Sequence, residues 1–185
     1  MFSQHGVVLA EAELKEQSGR TNASFVEIIN RRYGYDFDPK VLAAEKDQLV
    51  LAELAAAPAR PYSGAIELLQ KLGKLGIKRA ISTTAGRNTA SRMGELVWPY
   101  FEVIVCREEI TKSKPDPEMF LTAAKELGLP PADCVVFEDA KNGVEAAKAG
   151  GFFCIARDNQ AGQDLSAADS VITAYNPQEL AGYFS

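Results

Sequence analysis

The spacing of apolar positions changes near residue 60. Up to about Ala59 they recur at helical intervals. Leu9 to Gln17 is an acidic amphipathic stretch, Asn22 to Tyr33 puts Phe25, Ile28 and Ile29 on one face, and Pro39 to Leu54 carries Val41, Leu42, Leu49 and Leu54 in the same way. Ala55 to Pro61, AAAPARP, breaks the pattern and reads as a hinge or linker. Beyond it, short apolar runs alternate with helical stretches. Strands are expected at Lys78 to Thr83, Phe101 to Cys106, Cys134 to Phe137 and Phe152 to Ala156. Helices are expected at Gly64 to Leu75, Thr89 to Val97, Pro117 to Leu127, Val144 to Ala149 and Pro177 to Tyr183. Strands alternating with helices predict an α/β fold with a Rossmann-like parallel sheet covered on both faces. The expected division is a small α-helical unit over 1–59 and the α/β unit over 60–185, with no internal repeat and no low-complexity tract.

The chain has 185 residues, 46% of them hydrophobic and 24% charged, with a formal net charge of −5. Its pI near 5.0 argues against nucleic acid or an anionic membrane as partner, since either needs a clustered positive surface. No apolar run reaches the roughly 18–20 residues of a membrane span and no signal-peptide pattern opens the chain, so the expected compartment is cytoplasmic. Cys106, Cys134 and Cys154 are too dispersed for a metal clip, lie in or beside apolar runs, and read as buried free thiols. His5 is the only histidine, which makes a histidine triad or a zinc site improbable.

Three strand ends carry groups with chemistry. The stretch CVVFEDAKNGVEAAKAG, Cys134 to Gly150, runs from a strand into the adjacent acids Glu138 and Asp139 and then into a helix with Val144, Ala147 and Ala149 available for packing. Ligands of open α/β sheets bind outside the carboxyl ends of the strands, where two carboxylates suit a hard cation. Acids at a helix start also suit the dipole without any ligand. Ser82, Thr83 and Thr84 offer hydroxyls and following amides to phosphate oxygens, or serve only as helix caps. Lys114 in TKSKPDPEMF precedes Pro115 and Pro117, which stiffen the entry to the next helix; a lysine fixed there could neutralise a phosphoryl group, or be an ordinary solvated charge.

In this order and spacing the three segments resemble three of the four signature motifs of the haloacid dehalogenase-like (HAD) superfamily. KPDPEMF and VVFEDAKNGVEAAKAGG are most similar to its phosphoglycolate phosphatase and β-phosphoglucomutase-like branch. The resemblance covers almost the whole chain and implies a helical cap over 1–59 on a HAD-like core. It implies a Mg²⁺-dependent phosphatase or phosphomutase for a small phosphorylated metabolite such as phosphoglycolate or a sugar phosphate, acting through an aspartyl phosphate as monomer or homodimer. By resemblance, Ser82 and Thr83 bind the phosphoryl group, Lys114 stabilises it and orients the nucleophile, Asp139 ligates Mg²⁺ and Glu138 supports the metal through water. Arg20 and Thr21 in SGRTNASF lie in the cap loop facing the substrate. Ala140 replaces the serine or threonine common after the acidic pair.

The fourth motif departs from the pattern. Such enzymes carry a nucleophilic aspartate in a DxDGT segment ending the first core strand, and no such segment precedes the cap region here. The sole DxD, Asp36-Phe37-Asp38, follows RRYGY, precedes Pro39, and reads as a turn with Asp38 capping a helix. These 185 residues alone are therefore expected not to turn over. The absent strand would lie between those ending at Ser82 and Glu138, whose edges would have to pair with each other or stay open. A longer natural protein, a non-catalytic remnant that binds phosphate, and a rearranged sheet or one completed by a partner's strand are the three explanations.

Overall fold

A computed structural model describes residues 2–184. The first three helices are α1 (Glu11–Gln17), α2 (Asn22–Tyr33) and α3 (Pro39–Ala56). The ends of α2 are written in the sequence: the Thr21 hydroxyl accepts from the Ser24 amide at 3.2 Å, and Gly34 ends the helix in the left-handed region. Asp38 caps α3 through the Lys40 and Val41 amides, with Pro39 at the first helical position, so the DxD segment is the expected turn and cap. These helices enclose a cluster of Phe2, Phe25, Val26, Ile29 and Leu42.

The remaining elements are α4 (Ala65–Lys74), β1 (Ala80–Ser82), α5 (Arg87–Met93), β2 (Val103–Val105), α6 (Glu118–Leu127), β3 (Val135–Glu138), α7 (Lys141–Ala149), β4 (Phe153–Arg157), β5 (Ser170–Ile172) and α8 (Pro177–Leu180). Every pairing is parallel, as alternation predicts. Three readings of the sequence need correction. The strand β5 was missed, because three residues in a polar neighbourhood carry no usable period; it exists through pairing with β4. On α7 the buried apolar side chains are Val144, Ala146 and Ala147, while Ala149 is exposed, and on α3 Leu42 is buried but Val41 and Leu49 are exposed.

The sheet itself is parted. Strands β1 and β2 form one ribbon and β3–β4–β5 another, and β1 does not pair with β3. Helix α6 covers both: Met119 and Ala123 pack with Val105, Ala80 and Val103, whereas Phe120 and Ala124 pack with Val136, Val144 and Cys154. On the other face, Leu68 and Leu72 of α4 meet Ile155, Val135 and Phe137. A strand in the middle of a covered parallel sheet should be buried on both sides. Instead Ala80, Ile81 and Ser82 are all half-buried, as are Val135 and Phe137. The two edges stay open, one of the two alternatives expected.

Candidate active site

The strongest polar cluster lies where β3 runs into α7. Lys114 is 4% exposed, its ammonium donates to Glu138 Oε1, and it rests 4.4 Å above the Phe120 ring. Glu138 Oε2 accepts from the amides of Asp139 (2.9 Å) and Ala140 (3.1 Å). Both Glu138 oxygens are therefore engaged by the protein. A Cβ on Gly143 would lie 2.0 Å from Glu138 Cδ, so glycine in the first turn of α7 makes room for this carboxylate.

Asp139, the next residue, is treated differently. Its Oδ2 accepts from Asn159 Nδ2 at 3.0 Å, and its other oxygen has no protein partner among the described residues. Burial, and then the Glu138 charge, push its carboxyl above the usual range, opposed by the Asn159 hydrogen bond and the charges of Lys114 and Arg157. A half-buried carboxylate with one open oxygen and no ion-pair partner among the described residues fits a hard cation. Glu138, with all its hydrogen bonds made inside the protein, fits a supporting position better than a ligand position.

At the other ribbon, Thr83 continues the strand pairing through its amide to Val105 O and accepts the Ala85 amide on Oγ1. The Ser82 hydroxyl has no protein partner among the described residues. The amide opening α5 is already taken, because Glu108 accepts from Arg87 N–H. Of the predicted residues, then, Lys114, Glu138 and Asp139 are brought together, and Ser82 and Thr83 end a separate ribbon covered by the same helix.

Arg20 lies in the α1–α2 loop, its Nε donating to Glu16 O at 3.2 Å. That loop sits on the start of α7: Asn142 Nδ2 donates to Ser18 O (2.6 Å) and Glu16 O (3.2 Å), and a Cβ on Gly19, at φ +79°, would meet Asn142 Cβ at 3.2 Å. A second tie joins Arg107 to Asp47 of α3 at 3.0 Å, and a third the Ser113 and Ser24 hydroxyls. Sequence reasoning missed Asn142, Gly143 and Asn159; only Gly143, a glycine inside a helix beside the acids, left a signal.

Several groups outside the cluster are accounted for. His5 pairs with Glu45 and stands against Phe37. All three cysteines are free; Cys106 and Cys154 are buried as expected, with the Cys154 thiol pushed up to about 11 by burial, whereas Cys134 is only half-buried. Glu108 and Glu109 approach Cys106 but are engaged by Arg87 and by the Cys106 amide. Among the described residues, no helix is long and apolar enough to cross a membrane.

Residues 4–151 match the family described as haloacid dehalogenase-like hydrolase. The chain is 30% identical over 164 residues to validoxylamine A 7'-phosphate phosphatase of Streptomyces hygroscopicus subsp. limoneus, covering 84% of this chain and 73% of that protein. It is 34% identical over 126 residues to the beta-phosphoglucomutase of Bacillus subtilis (strain 168), covering 68% and 54%. The chain thus spans between about half and three quarters of the length of these relatives. The crystal structure of beta-phosphoglucomutase from Clostridium difficile superposes with a TM-score of 0.81 at 22% identity over 98% of this chain and 83% of that one, which shows the fold. The sequence match over most of its length and the shared α/β fold together make this chain a member of the haloacid dehalogenase-like hydrolase family.

Proposed function

We propose that this chain forms the phosphate- and cation-binding framework of a Mg²⁺-dependent phosphatase or phosphomutase acting on a small phosphorylated metabolite, phosphoglycolate or a sugar phosphate. The observation that carries the reading is the division of labour at the β3 tip: Glu138 is saturated by Lys114 and two amides, while Asp139 keeps one oxygen open.

In this reading Ser82 and Thr83 donate hydrogen bonds to phosphoryl oxygens. Lys114 spends one ammonium proton on Glu138 and has two left for the phosphoryl group. Glu138 holds Lys114 in place, and Asp139 holds the cation through its open oxygen. A bound Mg²⁺ supplies charge neutralisation for the phosphoryl group. The helical unit over 1–59 acts as the cap, with Arg20 and Thr21 facing the substrate and water excluded when the ties through Asn142 and Arg107 are made. Names of relatives support a sugar phosphate: two of them are called hexitol phosphatase A and phosphorylated carbohydrates phosphatase.

The reading requires a nucleophilic aspartate at the tip of a strand between β1 and β3, supplied from outside these residues; the two open edges are what supports it. The competing reading, a domain that binds phosphate without chemistry, draws on the same edges. The experiment is a thermal-shift titration with Mg²⁺ and orthophosphate, alone and together. The expected result is stabilisation that needs both and disappears in Asp139→Ala. Equal shifts in that variant would remove the proposed site.

A further inference from the structure

We propose that Asn159 is a positioning residue for Asp139, fixing which carboxylate oxygen is offered to the divalent cation. The inference rests on the reading of Asp139 as a cation ligand and extends it to a residue that no motif marks. Asn159 lies in the segment after β4, two residues beyond the strand end. The segment is pinned at its base, where the Asp158 amide donates to Ile172 O of β5 at 2.8 Å. It is tightened by Asp158 Oδ1 accepting from the Gln160 amide at 2.7 Å, with Gln160 in the left-handed region at φ +62°.

The chemistry of its neighbours fixes how the Asn159 amide points. The Ala161 N–H can only donate, so the atom facing it, at 3.0 Å, is the carbonyl Oδ1. An ionised carboxylate can only accept, so the atom facing Asp139 Oδ2, also at 3.0 Å, is Nδ2. Each bond requires the same orientation that the other does, and the amide has no competing arrangement. Oδ2 is thereby committed, and the open oxygen of Asp139 is the one left for the cation.

An amide suits this task better than a basic group. A lysine would hold the carboxylate but also cancel the charge that attracts the cation. Asparagine orients the carboxylate and leaves its full charge in place. Partners of this kind behind a metal ligand typically change metal affinity by about 10–100-fold when removed.

The test is the dissociation constant for Mn²⁺, as a spectroscopic substitute for Mg²⁺, measured by electron paramagnetic resonance on the full chain. Three proteins are compared: the unaltered chain, Asn159→Ala, and Asp158→Ala, which loosens the same turn while keeping the amide. Melting temperatures in EDTA accompany each. The expected result is affinity weakened about tenfold or more in Asn159→Ala and unchanged within about threefold in Asp158→Ala. Equal affinities in Asn159→Ala and the unaltered chain would overturn the inference alone. An equal loss in both variants would assign Asn159 to holding the turn and overturn it too. No Mn²⁺ binding in the unaltered chain would overturn the cation site itself.

Discussion

The two ribbons of the sheet end in different kinds of chemistry. At the β3 tip nearly every polar atom is engaged: Lys114 with Glu138, Glu138 with two amides, Asp139 with Asn159. At the β1 tip the Ser82 hydroxyl has no partner among the described residues. The first arrangement is a framework that carries fold stability along with any binding role. The second is a group held in place by its strand and available to a ligand. Substitutions at the two tips should therefore separate stability from binding.

The largest effect is expected from Lys114→Ala, which leaves Glu138 buried without its cation. Denaturant unfolding should show a loss of about 3–5 kcal/mol, the usual cost of removing one member of a buried pair. A loss below about 1 kcal/mol would mean that this tip is less committed than its hydrogen bonds indicate. Next is Gly143→Ala, which sets a methyl group against the Glu138 carboxylate. Overpacking of this kind costs about 1–3 kcal/mol, and the comparison is sharpened if the same variant also loses Mg²⁺ affinity.

Asp139→Asn is smaller and opposite in sign. The folded state holds the Asp139 proton to a higher pH than the unfolded chain does, because of burial and then Glu138. Folded protein thus binds more protons above the ordinary carboxylate value, and stability falls as pH rises through that window. At neutral pH without metal the asparagine variant should therefore melt higher than the unaltered protein. The gap should close below about pH 4, near the ordinary aspartate value. Added Mg²⁺ should stabilise only the unaltered protein. The smallest stability effect is expected from Ser82→Ala, within about 0.5 kcal/mol, with orthophosphate binding nonetheless weakened.

Much of this arrangement was legible in the sequence because local signals coincide with the fold. Asn22–Tyr33 was read to the residue, since Thr21 and Gly34 bracket it. The hydroxyl and acidic strand ends were read because the ligand end of a parallel sheet is set by strand direction, whereas Lys114, read as a third strand end, lies in the loop between β2 and α6. The rest depended on contacts between distant residues. Whether Glu138 or Asp139 keeps an open oxygen is decided by Lys114 and Asn159, 24 and 20 residues away. The parting of the sheet is a matter of which edges meet, and the apolar runs of β1 and β3 look the same paired or open.

The measurement that tests the central claim most directly is release of p-nitrophenol from p-nitrophenyl phosphate, with and without Mg²⁺. It would compare these 185 residues with a version carrying a DFDGT strand and the start of a cap helix at the N-terminus. The account predicts Mg²⁺-dependent turnover in the extended protein only, abolished there by Asp139→Ala. Turnover by the 185 residues alone would contradict it and place the nucleophile among carboxylates assigned here to turns and caps, beginning with Asp36 and Asp38.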